Sequence, residues 1–148
     1  MRIEDELKGR FRNDYHKALI NLVYTSNAIN SKFISYLKQR GLTAQQYNVL
    51  RVLQGHKSEA RSIDFLRERM LDKNSDMSRI VERLYQKKLV DREENEADRR
   101  QKKIKITTSG VELLDQMLEC ERKADTLLSN LNTQEISEFN QLLDKIRD

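Results

Sequence analysis

The sequence predicts a mainly α-helical chain carrying one small β-hairpin. Three observations lead there. Proline is absent and only 4 glycines occur in 148 residues, so little interrupts a helix. Apolar residues recur at steps of three and four along most of the chain. One stretch, Lys102-Lys103-Ile104-Lys105-Ile106, alternates with period two instead.

Residues 3–39 read as one long helix, with Leu7, Phe11, Tyr15, Ala18, Leu22, Ile29, Phe33 and Leu37 along one side. Such length implies packing on something beyond a local core. Gly41 is a C-terminal stop. Thr43 and Gln46 then form a capping box, and Leu42 can staple onto Tyr47. This next helix buries Tyr47, Leu50 and Leu53 and stops at Gly55. Residues 58–61 form a polar connection with room for one brief strand beside the hairpin. Ser62 caps a helix from Ile63 to about Met70, with Ile63, Leu66 and Met70 inward.

The stretch from Asn74 to Thr107 organises the rest. At about 100° per residue, Met77, Ile80, Val81 and Leu84 fall on one side of a helix. The other side carries Ser75, Arg79, Glu82 and Gln86, with Arg83 on its shoulder. Serine and arginine on a solvated face are residue types that reach phosphate oxygens and base edges, arginine through its bidentate fork to guanine. After the helix, residues 89–93 and 102–106 read as strands, with Ile104 and Ile106 inward. The polar turn between them ends in Asp98-Arg99-Arg100. Arginines projected this way suit a narrow minor groove, and Asp98 would orient Arg100. Two short helices, the second amphipathic with a basic outer face and followed by a hairpin, are the order of a winged helix-turn-helix.

Thr108 is expected to cap a helix to about Ser129. It carries one stripe of Leu113, Met117, Cys120, Ala124, Leu127 and Leu131 and a second of Leu114, Leu118 and Leu128. Two stripes imply two neighbours. A last helix starts near Thr133, or at an Asn132 cap if Glu135 completes the box, and places Ile136, Phe139, Leu142, Leu143 and Ile146 along one side. The organisation expected is a single domain, 1–148: a helical dimerisation platform from 1–40 and 109–148 around a DNA-binding lobe, 42–107.

Charge agrees with a polyanionic partner. Residues 73–105 hold 11 Lys/Arg against 7 Asp/Glu, and residues 106–148 hold 4 against 9, in a chain of 28 against 24. A mean hydropathy of -0.82 is low for a compact monomer and suits exposed helices whose apolar stripes meet a partner chain. The charged start MRIEDELKGR is unlike a signal peptide, and no apolar run approaches the ~18 residues of a membrane span, so a cytoplasmic location is expected. One cysteine, Cys120, excludes an internal disulfide and reads as inert filler of an apolar seam.

Four segments in order resemble the MarR family of bacterial transcriptional regulators: Leu42-Thr43-Ala44-Gln45-Gln46-Tyr47-Asn48-Val49-Leu50, the run from Ser75 to Leu84, Asp98-Arg99-Arg100, and Ile104-Lys105-Ile106-Thr107-Thr108-Ser109-Gly110. The resemblance implies a homodimer with interlocked terminal helices. Each subunit would place a recognition helix in the major groove and a wing in the minor groove of a palindromic double-stranded operator. It makes Arg100 the minor-groove arginine, Asp98 its partner and Arg99 a phosphate contact. DNA-binding residues expected are Asn74, Ser75, Asp76, Ser78, Arg79, Arg83, Arg99, Arg100 and Lys102. Leu71 and Lys88 stand where the family often has glycine.

Relatives also imply a ligand-responsive repressor, with a small-molecule effector seated between platform and lobe; Phe11, Tyr15, Phe33, Tyr36 and Tyr47 are the candidate lining. The alternative for these aromatics is plain core. No Gly-rich phosphate loop or nucleophile motif points to an enzyme, and His16 and His56 lack metal-ligand spacing, so neither cofactor nor metal is expected. The rival function is a winged-helix module that binds protein or RNA without operator specificity.

Overall fold

A computed structural model describes residues 2–73, 75–94 and 102–148, and all but the side chains of Glu94 and Cys120 among them. The expected sites Asn74, Asp98, Arg99 and Arg100, and the Cys120 thiol, lie outside the described residues and side chains.

The long first helix is two. α1 (Ile3–Leu7) ends at Lys8, which is left-handed with φ 49°. α2 (Asp14–Gln39) starts afresh at Asn13, whose side chain accepts the His16 N–H at 2.9 Å. Apolar periodicity carries through this break, but Gly9 and the Asn13 cap favour a turn. Tyr24 Oη donates to Glu6 at 2.9 Å, and Lys17 pairs with Glu4, which lies below the usual carboxylate pKa because of the Lys17 hydrogen bond; together they hold α1 on α2.

Gly41, with φ 68°, turns the chain into α3 (Ala44–Gln54). The Thr43–Gln46 capping box is present in both directions, at 3.2 Å each way. β1 (Arg61–Ser62) leads directly into α4 (Ile63–Arg69), capped by Ser62 through the Phe65 N–H. α5 (Met77–Gln86) begins after Asp76 accepts the Arg79 N–H at 3.1 Å. Its C-terminal turn closes through Lys88, left-handed at φ 59° in the place expected of a glycine. Leu71 has no such need: it is not left-handed, and its N–H bonds Asn48 Oδ1 at 3.0 Å.

β2 (Val90–Glu94) and β3 (Lys102–Ile106) pair antiparallel with Val90 opposite Ile106 and Glu94 opposite Lys102. β1 adds to the other edge of β3, opposite Ile104 and Lys103, so the brief extra strand forms. α6 (Thr108–Asp115) is capped one residue earlier than expected, by Thr107. Its hydroxyl accepts the Gly110 N–H at 3.1 Å and donates to the Lys88 carbonyl at 2.8 Å, a tertiary bond that Thr108 does not make.

The predicted helix to Ser129 is also interrupted. At Met117 the hydrogen bond shortens its reach to the Leu114 carbonyl, and α7 (Leu118–Asp125) follows with a 3₁₀ turn, Thr126–Leu128. Met117 is fully buried and makes the last contact with the core. α8 (Thr133–Arg147) has the Asn132–Glu135 capping box, which decides its start.

The core runs from Leu37 to Met117 and is filled by Leu50, Leu53, Leu66, Met77, Val81, Leu84, Val90, Ile104 and Leu114, all at most 1% exposed. Burying each such side chain stabilises the fold by roughly 1.5–3 kcal/mol. Among the described residues none between 4 and 36, and none after Met117, is buried.

Candidate nucleic-acid interface

α5 is anchored by the face that its sequence marked. Met77, Val81 and Leu84 are buried and Ile80 is half-buried against the core. The opposite face carries Ser78, Arg79 and Arg83, all exposed. Among the described residues, neither guanidinium has an ion-pair or side-chain hydrogen-bond partner, so each is free to meet an external anion. Lys102 at the start of β3 is exposed as well.

Three outward positions turn out to be occupied. Ser75 is half-buried, where a solvated position was expected: its Oγ has no solvent access and, among the described residues, no hydrogen-bond partner. Asp76 is spent on capping the helix, where its carboxylate accepts the Arg79 N–H. Glu82 pairs with Arg92 of β2, whose guanidinium also lies 4.7 Å over the Tyr85 ring. That hydrogen bond from Arg92 holds the Glu82 carboxyl below the usual carboxylate range.

α3 presents its N-terminus beside this face. A shallow cleft of about 190 Å³ is lined by Thr43, Gln45, Ser75, Asp76, Arg79 and Arg83. Next to it, one of about 350 Å³ is lined by Lys38, Gly41, Thr43, Arg83, Gln86 and Lys87, with no carboxylate in its wall. The Thr43 capping box was legible, but nothing local showed that this helix start and Lys38 would stand next to Arg83. Their proximity comes from packing α2, α3 and α5 together.

The five aromatic residues fall into separate groups in this protomer. Phe33 and Tyr47 meet edge to face at 5.4 Å, and Tyr36 is half-buried one turn along α2. Tyr15 is 88% exposed and begins the same helix, 18 residues and so about 27 Å away. Phe11 precedes α2 and packs on His16 at 5.9 Å. Tyr47 Oη donates to Glu121 of α7 at 2.6 Å, and Arg51 Nε lies 3.6 Å from the same carboxylate. Burial first, and then the Glu121 hydrogen bond, push the Tyr47 phenol well above its ordinary pKa.

Among the described residues, no cluster of His, Cys, Asp and Glu is built to hold a metal ion, and no helix is long and apolar enough to cross a membrane.

Residues 40–101 match the sequence model of the MarR family. No curated protein sequence matches the chain. Among solved structures, a MarR transcription factor from Planctomyces limnophilus is 27% identical, with 91% of this chain covering 98% of that one at a TM-score of 0.71. The S. aureus MepR of a MepR–DNA complex is 25% identical, with 93% and 97% covered at a TM-score of 0.76. Bordetella bronchiseptica BpsR, whose DNA binding is regulated by 6-hydroxynicotinic acid, is 24% identical, with 86% and 90% covered at a TM-score of 0.75.

Proposed function

We propose that this chain, whose residues 40–101 match the MarR family model within a winged-helix fold, is a MarR-family DNA-binding transcription regulator acting as a homodimer on a palindromic operator. The observation that carries this reading is the free face of α5. Arg79 and Arg83 stand exposed and without ion-pair partners among the described residues, on a helix whose other side is locked in the core. A helix held that way can enter a major groove with little reorganisation. Lys102 would add a phosphate contact, and Arg100, oriented by Asp98, would enter the minor groove beside it.

The dimer is supported by what the protomer leaves uncovered. Leu19, Leu22 and Val23 of α2, Leu118 of α7, and Leu142 and Ile146 of α8 are exposed, while the core takes nothing from α8. Exposed apolar residues concentrated on terminal helices are what an interlocked partner would bury. Repression relieved by a small organic effector is the remaining part of the proposal. The half-buried Phe33–Tyr47 pair between α2 and α3, reaching α7 through Glu121, supports an effector seat there.

The test is binding of duplex DNA from upstream of the protein's own gene, against a random duplex of equal length, over a range of salt. A preference on the order of 1,000-fold, with affinity falling steeply as salt rises, is the expected outcome. Equal affinity for both duplexes would instead leave a winged-helix module without operator specificity.

A further inference from the structure

Lys87 belongs to the basic window that first pointed to DNA, and the residue is exposed, yet its ammonium group is engaged by the protein itself. It donates to the Gly41 carbonyl, and it lies 3.3 Å from Gln46 Oε1. Gln46 is a buried polar residue at 4% exposure, and the same oxygen already accepts the Thr43 N–H at 3.2 Å. An amide oxygen has two lone pairs, and here both are taken. The three residues joined belong to three helices: Gly41 closes α2, Gln46 sits in the first turn of α3, and Lys87 closes α5.

Each end of this link is itself fixed. Gly41 is left-handed and its N–H bonds the Lys38 carbonyl, with Leu42 N–H returning to Leu37. Lys87 is the C-cap of α5 and its N–H bonds the Arg83 carbonyl, while Leu89 N–H returns to Leu84 across the left-handed Lys88. A lysine bonded at once to the end of one helix and the first turn of the next ties the position of its own helix to both.

We propose that Lys87 is a positioning residue for sequence-specific DNA reading: it sets the recognition helix α5 against the end of α2 and the start of α3, and makes no phosphate contact of its own. The proposal rests on the DNA-binding reading above. Base-edge contacts demand placement of the helix to within a fraction of an ångström. Phosphate contacts carry no sequence information and supply affinity mainly through charge near the backbone. Loss of the link therefore weakens specific binding selectively.

The experiment compares the parent with Lys87→Met and Lys87→Arg. Fluorescence anisotropy is read with labelled duplex from upstream of the gene and with random duplex, each across a salt series, alongside thermal melting. Lys87→Met is expected to lose about tenfold on the upstream duplex, with random-duplex affinity and salt slope unchanged. Lys87→Arg, which can still donate to both oxygens, is expected to recover most of that loss. Equal weakening on both duplexes with a salt slope shallower by about one would make Lys87 a phosphate contact and overturn the proposal. Unchanged upstream affinity with a lower melting temperature would also overturn it, leaving only a contribution to stability. Should Lys87→Met fail to fold, Lys87→Ala, which likewise removes the donor, is read by the same criteria. Failure of the DNA reading itself shows in the parent, as no preference for the upstream duplex, and so is distinguishable.

Discussion

Arg92 on the first strand of the wing donates to Glu82 on the outward face of the recognition helix, while its guanidinium lies 4.7 Å over Tyr85. One arginine thereby ties the wing to the helix beside it. Glu82 is not available to read a base, and the pair neutralises a carboxylate that would otherwise repel phosphate. Arg92→Met is expected to weaken upstream-duplex binding severalfold, and Glu82→Gln in the same chain to offset part of that loss by removing the stranded carboxylate; a double-mutant cycle on DNA affinity checks it. The pair also carries a pH signature. Because the Glu82 pKa is lowered on folding, its stabilisation is present above the unfolded carboxylate value and is lost as pH falls through the folded value. The melting difference between parent and Glu82→Gln should therefore be constant near neutrality and vanish in acid.

Replacing Arg79 with alanine should cost operator binding at least tenfold, from the roughly 1–3 kcal/mol of a specific base contact, and Arg100→Ala should do the same through the wing. Lys102→Ala should weaken upstream and random duplex alike and flatten the salt dependence. Competition binding at several salt concentrations separates the two behaviours. If Arg79→Ala and Arg100→Ala both bound as the parent does, the reading face would be elsewhere.

Two backbone positions should respond in opposite directions. A Cβ on Gly110 would collide with the Leu89 carbonyl oxygen and stand 2.7 Å from Ile106 Cγ1, the first of them backbone that cannot swing away. Gly110→Ala should cost roughly 1–3 kcal/mol by forcing α6 off β3 and the strand start. Lys88 is left-handed at φ 59°, so Lys88→Gly removes strain and should stabilise by up to about 1 kcal/mol. Urea denaturation of both variants measures this.

Tyr47 and Glu121 join α3 to α7 through a 2.6 Å hydrogen bond. Tyr47→Phe should cost about 1 kcal/mol at neutral pH. The phenol pKa is raised on folding, so the folded state holds its proton more tightly than the unfolded chain. The stabilisation is complete below the ordinary tyrosine value and is lost as pH rises through the folded one. Tyr47→Phe should accordingly lose the part of the parent's alkaline destabilisation that comes from this group, read as melting temperature between neutral and strongly alkaline pH.

Leu142 and Ile146, 59% and 69% exposed on α8, test the dimer. Changing both to glutamate should yield a monomer that melts as a folded protein and binds the upstream duplex at least tenfold more weakly. Sedimentation velocity checks the mass, and a parent that is itself monomeric at working concentration would sink the dimeric reading.

Sequence alone determined whatever depends on neighbours within about one turn of chain. The Thr43–Gln46 and Asn132–Glu135 boxes, the Ser62 cap, the two faces of α5 and the alternation of β3 are all short-range facts, set by side chains two to four residues apart. Tertiary structure decided the rest. Periodicity runs unbroken through residues 8–13 and 116–117, because apolar spacing does not register a break whose cause is a cap or a packing contact. Thr107 displaced Thr108 as cap because its hydroxyl also reaches Lys88, 19 residues away. Most of all, the fates of Lys87 and Arg92 were invisible as sequence: each counts as one more positive charge until the fold brings Gly41 to one and Glu82 to the other. Long side chains choose partners by distance in space, and only the packed helices and strands set that distance.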